Sequence, residues 1–150
     1  MNHAKSERGV SALVLTLLVG GIVMEIALTG LFIAHFLGQS GYGAKLSAEA
    51  LGAARAGIED GILKVVRNKN IDYGSSASPY ALTVGARTAT VSICKDTKTT
   101  ASPCDTSQAG KNEVTAVGVA FTKQRKLRAL LNVNSVTGEV RLEDLREIQL

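Results

Sequence analysis

AKLSAEALGAARAGIEDGILKVVRNKN, Ala44–Asn70, sets the architecture because it reads as one amphipathic helix. Leu51, Ala54, Ile58, Ile62 and Val65 recur at spacings of three and four, which places them on a single apolar stripe. Arg55, Glu59 and Asp60 lie off that stripe, and Lys64 and Arg67 follow near its end. Acid before base suits both i,i+4 pairing and the helix dipole. Asn68 and Asn70 supply the stop. A helix with one apolar stripe needs a cover, so the flanking sequence decides what kind of protein this is.

Upstream, the charged stub SERGVSALVL, Ser6–Leu15, leads into a run that stays apolar from Val10 to Leu37, 28 residues. As a helix this run is about 42 Å long, against the roughly 20 residues that a bilayer core requires. A secretory signal has an apolar stretch of only about 7–15 residues, although Ala34 and Gly38 leave a signal-type cleavage open. The run therefore reads as a membrane-inserted helix. Lys5, Arg8 and the α-amine precede it and hold the N-terminus in the cytoplasm, with Lys45 beyond the run as a counter-signal. The reading predicts a single-pass protein of the cytoplasmic membrane, N-terminus inside and the remainder exported. Its parts are a cytoplasmic leader (1–9), a transmembrane or assembly helix (10–37), a flexible joint and amphipathic helix (38–70), and a β-rich head (71–150).

Two features are unusual for a plain anchor. Gly20, Gly21 and Gly30 are small residues of the kind that allow membrane helices to pack closely. Glu25 lies near the middle of the run, where a charge costs about 2.5–3.5 kcal/mol on the insertion scale. Glu25 is either protonated and bonded within its own helix, with Thr29 one turn on as partner, or in polar contact with another subunit's helix. His35, about 280° around the helix from Glu25, is placed in the headgroup layer. GQSGYG, Gly38–Gly43, reads as the joint.

Downstream, YALTV and RTATVSIC alternate and are separated by Gly85-Ala86, a hairpin pattern. EVTAVGVAF and RKLRALLNVN are further strands joined through Thr122-Lys123-Gln124, with Leu127, Ala129, Leu131 and Val133 on one face. Thr137-Gly138 turns into VRL, and the closing EDLREIQL fits either a helix or an edge strand. A head this small buries little core alone, so its sheet is expected to pack on the amphipathic helix. The fold class is α+β, a long N-terminal helix packed on a small antiparallel sheet.

The residues also carry a resemblance. Glu7-Arg8-Gly9-Val10 followed by the apolar run resembles a prepilin leader ending in glycine. Ala53–Ile62, with Gly57-Ile58-Glu59-Asp60 at its centre, resembles the "AEAGIEDAL" helix of the PilX N-terminal family of minor pilins and pseudopilins, with Arg55 where glutamate is usual. The resemblance covers about residues 6–70. It implies cutting by a prepilin peptidase between Gly9 and Val10, methylation of the new terminus, and entry of the helix into the bundle of a type IV pilus or related fimbrial filament. The implied partners are other pilin subunits through the N-terminal helix, the peptidase, the pilus assembly platform, and the bilayer before assembly. Val14 stands at the fifth mature place, where repeating pilins carry a glutamate, and this departure points to a minor or priming subunit. Other readings are a permanently anchored bitopic surface protein whose head binds a ligand or polyanion, and a TadE-like pilus-assembly protein.

Cys94 and Cys104 could pair outside the cytoplasm, closing the loop KDTKTTASP, or stand as free thiols or a metal site. With no histidine beyond His35, two cysteines cannot fill a tetrahedral zinc shell. The resemblance implies a disulfide, since many pilins close a C-terminal loop this way. Asp96 and Asp105 lie near the loop without the regular carboxylate spacing of a calcium site. Lys123, Arg125, Lys126 and Arg128 form a candidate polyanion patch. No aromatic interleaves them for base stacking, so a solvated hairpin tip is the plainer reading and DNA the lesser partner. The net charge of +4 does not decide between them. Neither cysteine has a histidine base on its side of the run, no glycine-rich phosphate loop leads into a helix, and Glu143, Asp144 and Glu147 sit in a charged tail. These observations argue against an enzyme and imply no cofactor.

Overall fold

A computed structural model of the chain describes residues 4–73, 78–97, 104 and 108–149, with side chains from residue 12 onward. His3, residues 98–103 of the cysteine loop, Asp105 and Leu150 lie outside this set. The chain divides into two compact units, Met1–Tyr42 and Gly43–Leu150.

One helix, α1 (Ala4–Arg67), is followed by five strands: β1 (Tyr80–Val84), β2 (Arg87–Cys94), β3 (Lys111–Ala120), β4 (Lys123–Val133) and β5 (Val140–Ile148). The strands form one antiparallel meander in the order β1-β2-β3-β4-β5. This is the α+β arrangement expected from the sequence. The backbone is helical through Gly38–Gly43, so the expected joint does not break the secondary structure. Helical hydrogen bonding tolerates the three glycines there, each costing only about 1 kcal/mol against Ala. The helix stops as expected: Asn68 Oδ1 accepts from the Asn70 N–H at 3.1 Å, and the Asn68 carbonyl accepts from Ile71 N–H.

Within the 43–150 unit, the sheet covers the amphipathic part of α1. Ala53, Ala54, Ile58 and Val65 form one core with Ala89, Val91 and Ile93 of β2, Val114 and Ala116 of β3, and Leu127, Ala129, Leu131 and Val133 of β4. Leu51 and Ile62, also on the expected stripe, pack at its margin. Full burial of side chains such as Ile93 and Leu131 contributes about 1.5–3 kcal/mol each.

The β1–β2 turn is Gly85-Ala86, with Gly85 at φ 60°, the left-handed conformation that a two-residue hairpin of this kind requires at its first position. The β3–β4 turn differs from the expectation. Ala120 pairs with Lys123, so the turn is Phe121-Thr122 and not Thr122–Gln124. Phe121 takes φ 51°, unusual for a bulky residue, and the Arg87 guanidinium lies 4.7 Å over its ring. The closing segment is strand β5, with Glu143 as an extra residue between Asp144, opposite Leu130, and Leu142, opposite Leu131.

Candidate functional site

The sequence points to two places where function would reside: the apolar part of α1 and the helix–sheet seam around Gly57, Ile58, Glu59 and Asp60. In the first, Leu13 through Leu37 present their large side chains outward, with Leu17 69% exposed and Leu37 68%. This helix is long and apolar enough to cross a membrane, and among the described residues none of its most apolar stretch is buried. Gly20, Gly21 and Gly30 have open space around them. The Gly9–Val10 bond lies within the α1 backbone.

Thr29 does reach back to Glu25, but its hydroxyl donates to the Glu25 backbone carbonyl at 2.9 Å and not to the carboxyl. A threonine one turn on commonly bonds this way, because its short side chain meets the i−4 carbonyl first. The Glu25 carboxyl has no partner among the described residues. Near the end of the run, His35 Nε2 is 2.9 Å from Gln39 Nε2, and its ring meets Phe36 edge-on.

In the second place, the motif residues divide by role. Gly57 lies against the sheet: a Cβ there would stand 3.0 Å from Ala116 and Val91 side chains. Gly61 one turn later approaches closer still, and a Cβ would meet Val114 Cγ1 at 2.4 Å. From the sheet side, a Cβ on Gly118 would fall 2.1 Å from the Ala50 carbonyl oxygen. The helix backbone thus rests directly on β3, and glycine at these contacts is what allows the approach. Ile58 fills the core at 2% exposure, and Glu59 faces outward.

Asp60 ties the helix to the edge strand. Its Oδ2 accepts from the Tyr80 hydroxyl at 2.6 Å and from Lys64 Nζ at 2.7 Å. Lys64 Nζ also sits 3.4 Å from the Tyr80 ring centroid, and Tyr73 packs edge-on to Tyr80 at 5.0 Å. The Lys64 and Tyr80 hydrogen bonds hold the Asp60 carboxyl below the usual carboxylate range. Burial, then the hydrogen bond to Asp60, pushes the Tyr80 phenol above its ordinary value. On the same flank, Arg87 pairs with Glu49 of α1 through Nε at 2.7 Å and through its second nitrogen.

Cys94 and Cys104 form a disulfide, with Cα atoms 5.5 Å apart. The four cations of TKQRKLR are not brought together as one patch. Strand alternation sends Arg125 to the helix side, where Nε donates to Ser47 Oγ at 2.8 Å and a terminal nitrogen meets Glu147 Oε1 at 2.6 Å. Lys126 and Arg128 point to the opposite face. There Arg128 is buried and donates through Nε and Nη2 to Glu113 Oε2 at 3.0 and 2.8 Å. Lys123 remains exposed at the hairpin tip.

The Glu113–Arg128 pair was not visible in the sequence. Glu113 is 1% exposed, yet in NEVT it reads as the polar start of a strand. Its partner lies 15 residues away, and only the β3–β4 register brings the two together. Among the described residues, no group of three or more His, Cys, Asp or Glu could hold a metal ion.

The chain matches no protein-family model, no curated protein and no solved structure. The functional reading therefore rests on the residues and their geometry.

Proposed function

We propose that the chain is a minor pilin or pseudopilin: a structural subunit inserted with its N-terminus inside, cut after Gly9, and added to a type IV pilus or related filament by helix packing. The observation that carries this reading is a helix whose residues 13–37 are apolar and uncovered, while its residues 46–65 are covered by an antiparallel sheet. An uncovered apolar helix requires a lipid or protein environment, and a filament bundle would supply the second once the first is left. The unpartnered Glu25 carboxyl suits a polar contact to another subunit's helix better than a bond within its own. The open surroundings of Gly20, Gly21 and Gly30 leave room for such close packing.

Cutting is tested by N-terminal sequencing of protein extracted from membranes, with and without a co-expressed prepilin peptidase. The expected result is Val10 as the first residue only where the peptidase is present, and loss of that cut when Gly9→Leu is introduced. Met1 as the first residue in both samples would overturn the proposal in favour of a permanent bitopic anchor.

A further inference from the structure

Beyond the end of α1, within the 43–150 unit, the chain shapes a cleft of about 610 Å³, in the size range of small-ligand sites. Three segments wall it: Lys69-Asn70 after α1, the Lys95-Asp96 turn after β2 with Gly110 before β3, and Asn132–Ser135 at the end of β4. Asn112 of β3, 1% exposed, lines it as well.

Asn112 carries the argument. Its Oδ1 accepts the Asp96 backbone N–H at 3.1 Å, which fixes the orientation of the amide. Its Nδ2 is buried and has no hydrogen-bond partner, the one such atom among the described residues. A buried orphan donor is costly, and in native proteins nearly all buried donors find a partner, an ordered water or ion included.

The other polar groups of the cleft are unevenly spent. Asp96 Oδ1 already accepts the Gly110 N–H at 2.8 Å, and Oδ2 faces Lys95 Nζ at 3.6 Å. Asn134 Oδ1 already accepts the N–H groups of Val136 and Thr137 at 2.8 and 3.0 Å. These acceptors on Asn112, Asp96 and Asn134 are taken, whereas the side-chain donors on Asn112, Asn134 and Lys69 make no hydrogen bond among the described residues. The Lys69 ammonium is packed over Gly138, where a Cβ would stand 1.9 Å away. Two lysines against Asp96 leave the lining with a formal charge of +1. A net positive lining with unspent donors favours an anion over a cation.

We propose that this cleft binds a small ligand bearing an oxyanion, a carboxylate or phosphate on a body of sugar size, with Asn112 Nδ2 and Lys69 Nζ as its donors. The site belongs to the head and does not depend on whether the chain enters a filament.

The test uses the full chain in detergent micelles at low salt, labelled with ¹⁵N, titrated separately with glucuronate, glucose 6-phosphate and uncharged glucose. The Asn112 side-chain amide should shift and saturate with at least one anion, and the tighter of the two identifies the oxyanion. Lys69→Met should weaken that binding about tenfold or more. Asn112→Asp keeps the acceptor for the Asp96 N–H but removes the donor, and should abolish the saturable shift that the Asp96 and Gly110 backbone amides show in the unaltered chain. Lys69 is exposed, so its variant stays informative even if Asn112→Asp fails to fold. No saturable shift with either anion, equal binding of glucose, or an unchanged affinity in Lys69→Met would each overturn the proposal.

Discussion

Residues 13–37 and 46–65 belong to the same helix, yet they meet their surroundings with opposite kinds of side chain. The first stretch turns Leu, Ile, Val and Phe outward on every side, and none of its most apolar window is buried among the described residues. The second turns Ala50, Ala53, Ala54, Gly57 and Gly61 inward, so that the backbone itself lies on the sheet. Large residues all round suit an environment that can flow or repack, such as lipid or neighbouring helices. Small residues on one face suit a fixed partner at short range. Glycine changes meaning between the two: open space in one stretch, enforced contact in the other.

That contrast can be broken most severely from the sheet. Gly118→Val would drive a side chain into the Ala50 carbonyl and the Ala54 nitrogen, atoms that cannot rotate away. A loss of about 3 kcal/mol is expected, the upper end for ordinary overpacking, read as a lower thermal midpoint of the tyrosine near-UV signal.

A matched pair sharpens it. Gly61→Ala should cost about 1–3 kcal/mol, because its Cβ meets Val114 at 2.4 Å. Gly30→Ala, with nothing within 4 Å, should change the same midpoint by the equivalent of about 0.5 kcal/mol or less. Equal losses from the two would mean that the glycines do not differ in role.

A pH-dependent effect concerns the Asp60–Tyr80 link. Asp60 has its folded pKa lowered, so its contribution is present above about pH 4 and is lost as pH falls through the folded value. Tyr80 has its folded pKa raised, so its contribution is present below about pH 10 and is lost as pH rises beyond it. Tyr80→Phe should cost about 1 kcal/mol near neutrality and flatten the alkaline limb of a stability–pH curve.

Much of this was legible from local pattern. The stripe Leu51–Val65, the strands β1, β2 and β4, and the Gly85-Ala86 turn follow from spacing and turn chemistry alone. The closing segment was ambiguous for a physical reason. Leu142 and Leu145 recur at a helical spacing of three, but the extra residue Glu143 restores both to the helix-facing side of β5. The Phe121-Thr122 turn was hidden because a phenylalanine at φ 51° is stabilised by Arg87, which comes from another strand. Glu113 with Arg128, and the orphan amide of Asn112, depend on strand register and burial, which no short window of sequence contains. The spread of the basic cluster over two faces, by contrast, was already implicit in the period of a strand. Once β4 is placed, Arg125 and Arg128 must part.

Residues 13–37 need an outside cover, and residues 43–150 do not. Flotation with phosphatidylcholine–phosphatidylglycerol vesicles tests this directly, comparing the full chain with a chain begun at Gly43. The full chain should rise with the vesicles while the 43–150 chain stays in the aqueous layer, soluble and cooperatively folded. A full chain that remains in the aqueous layer, or a 43–150 chain that floats or precipitates, would contradict it.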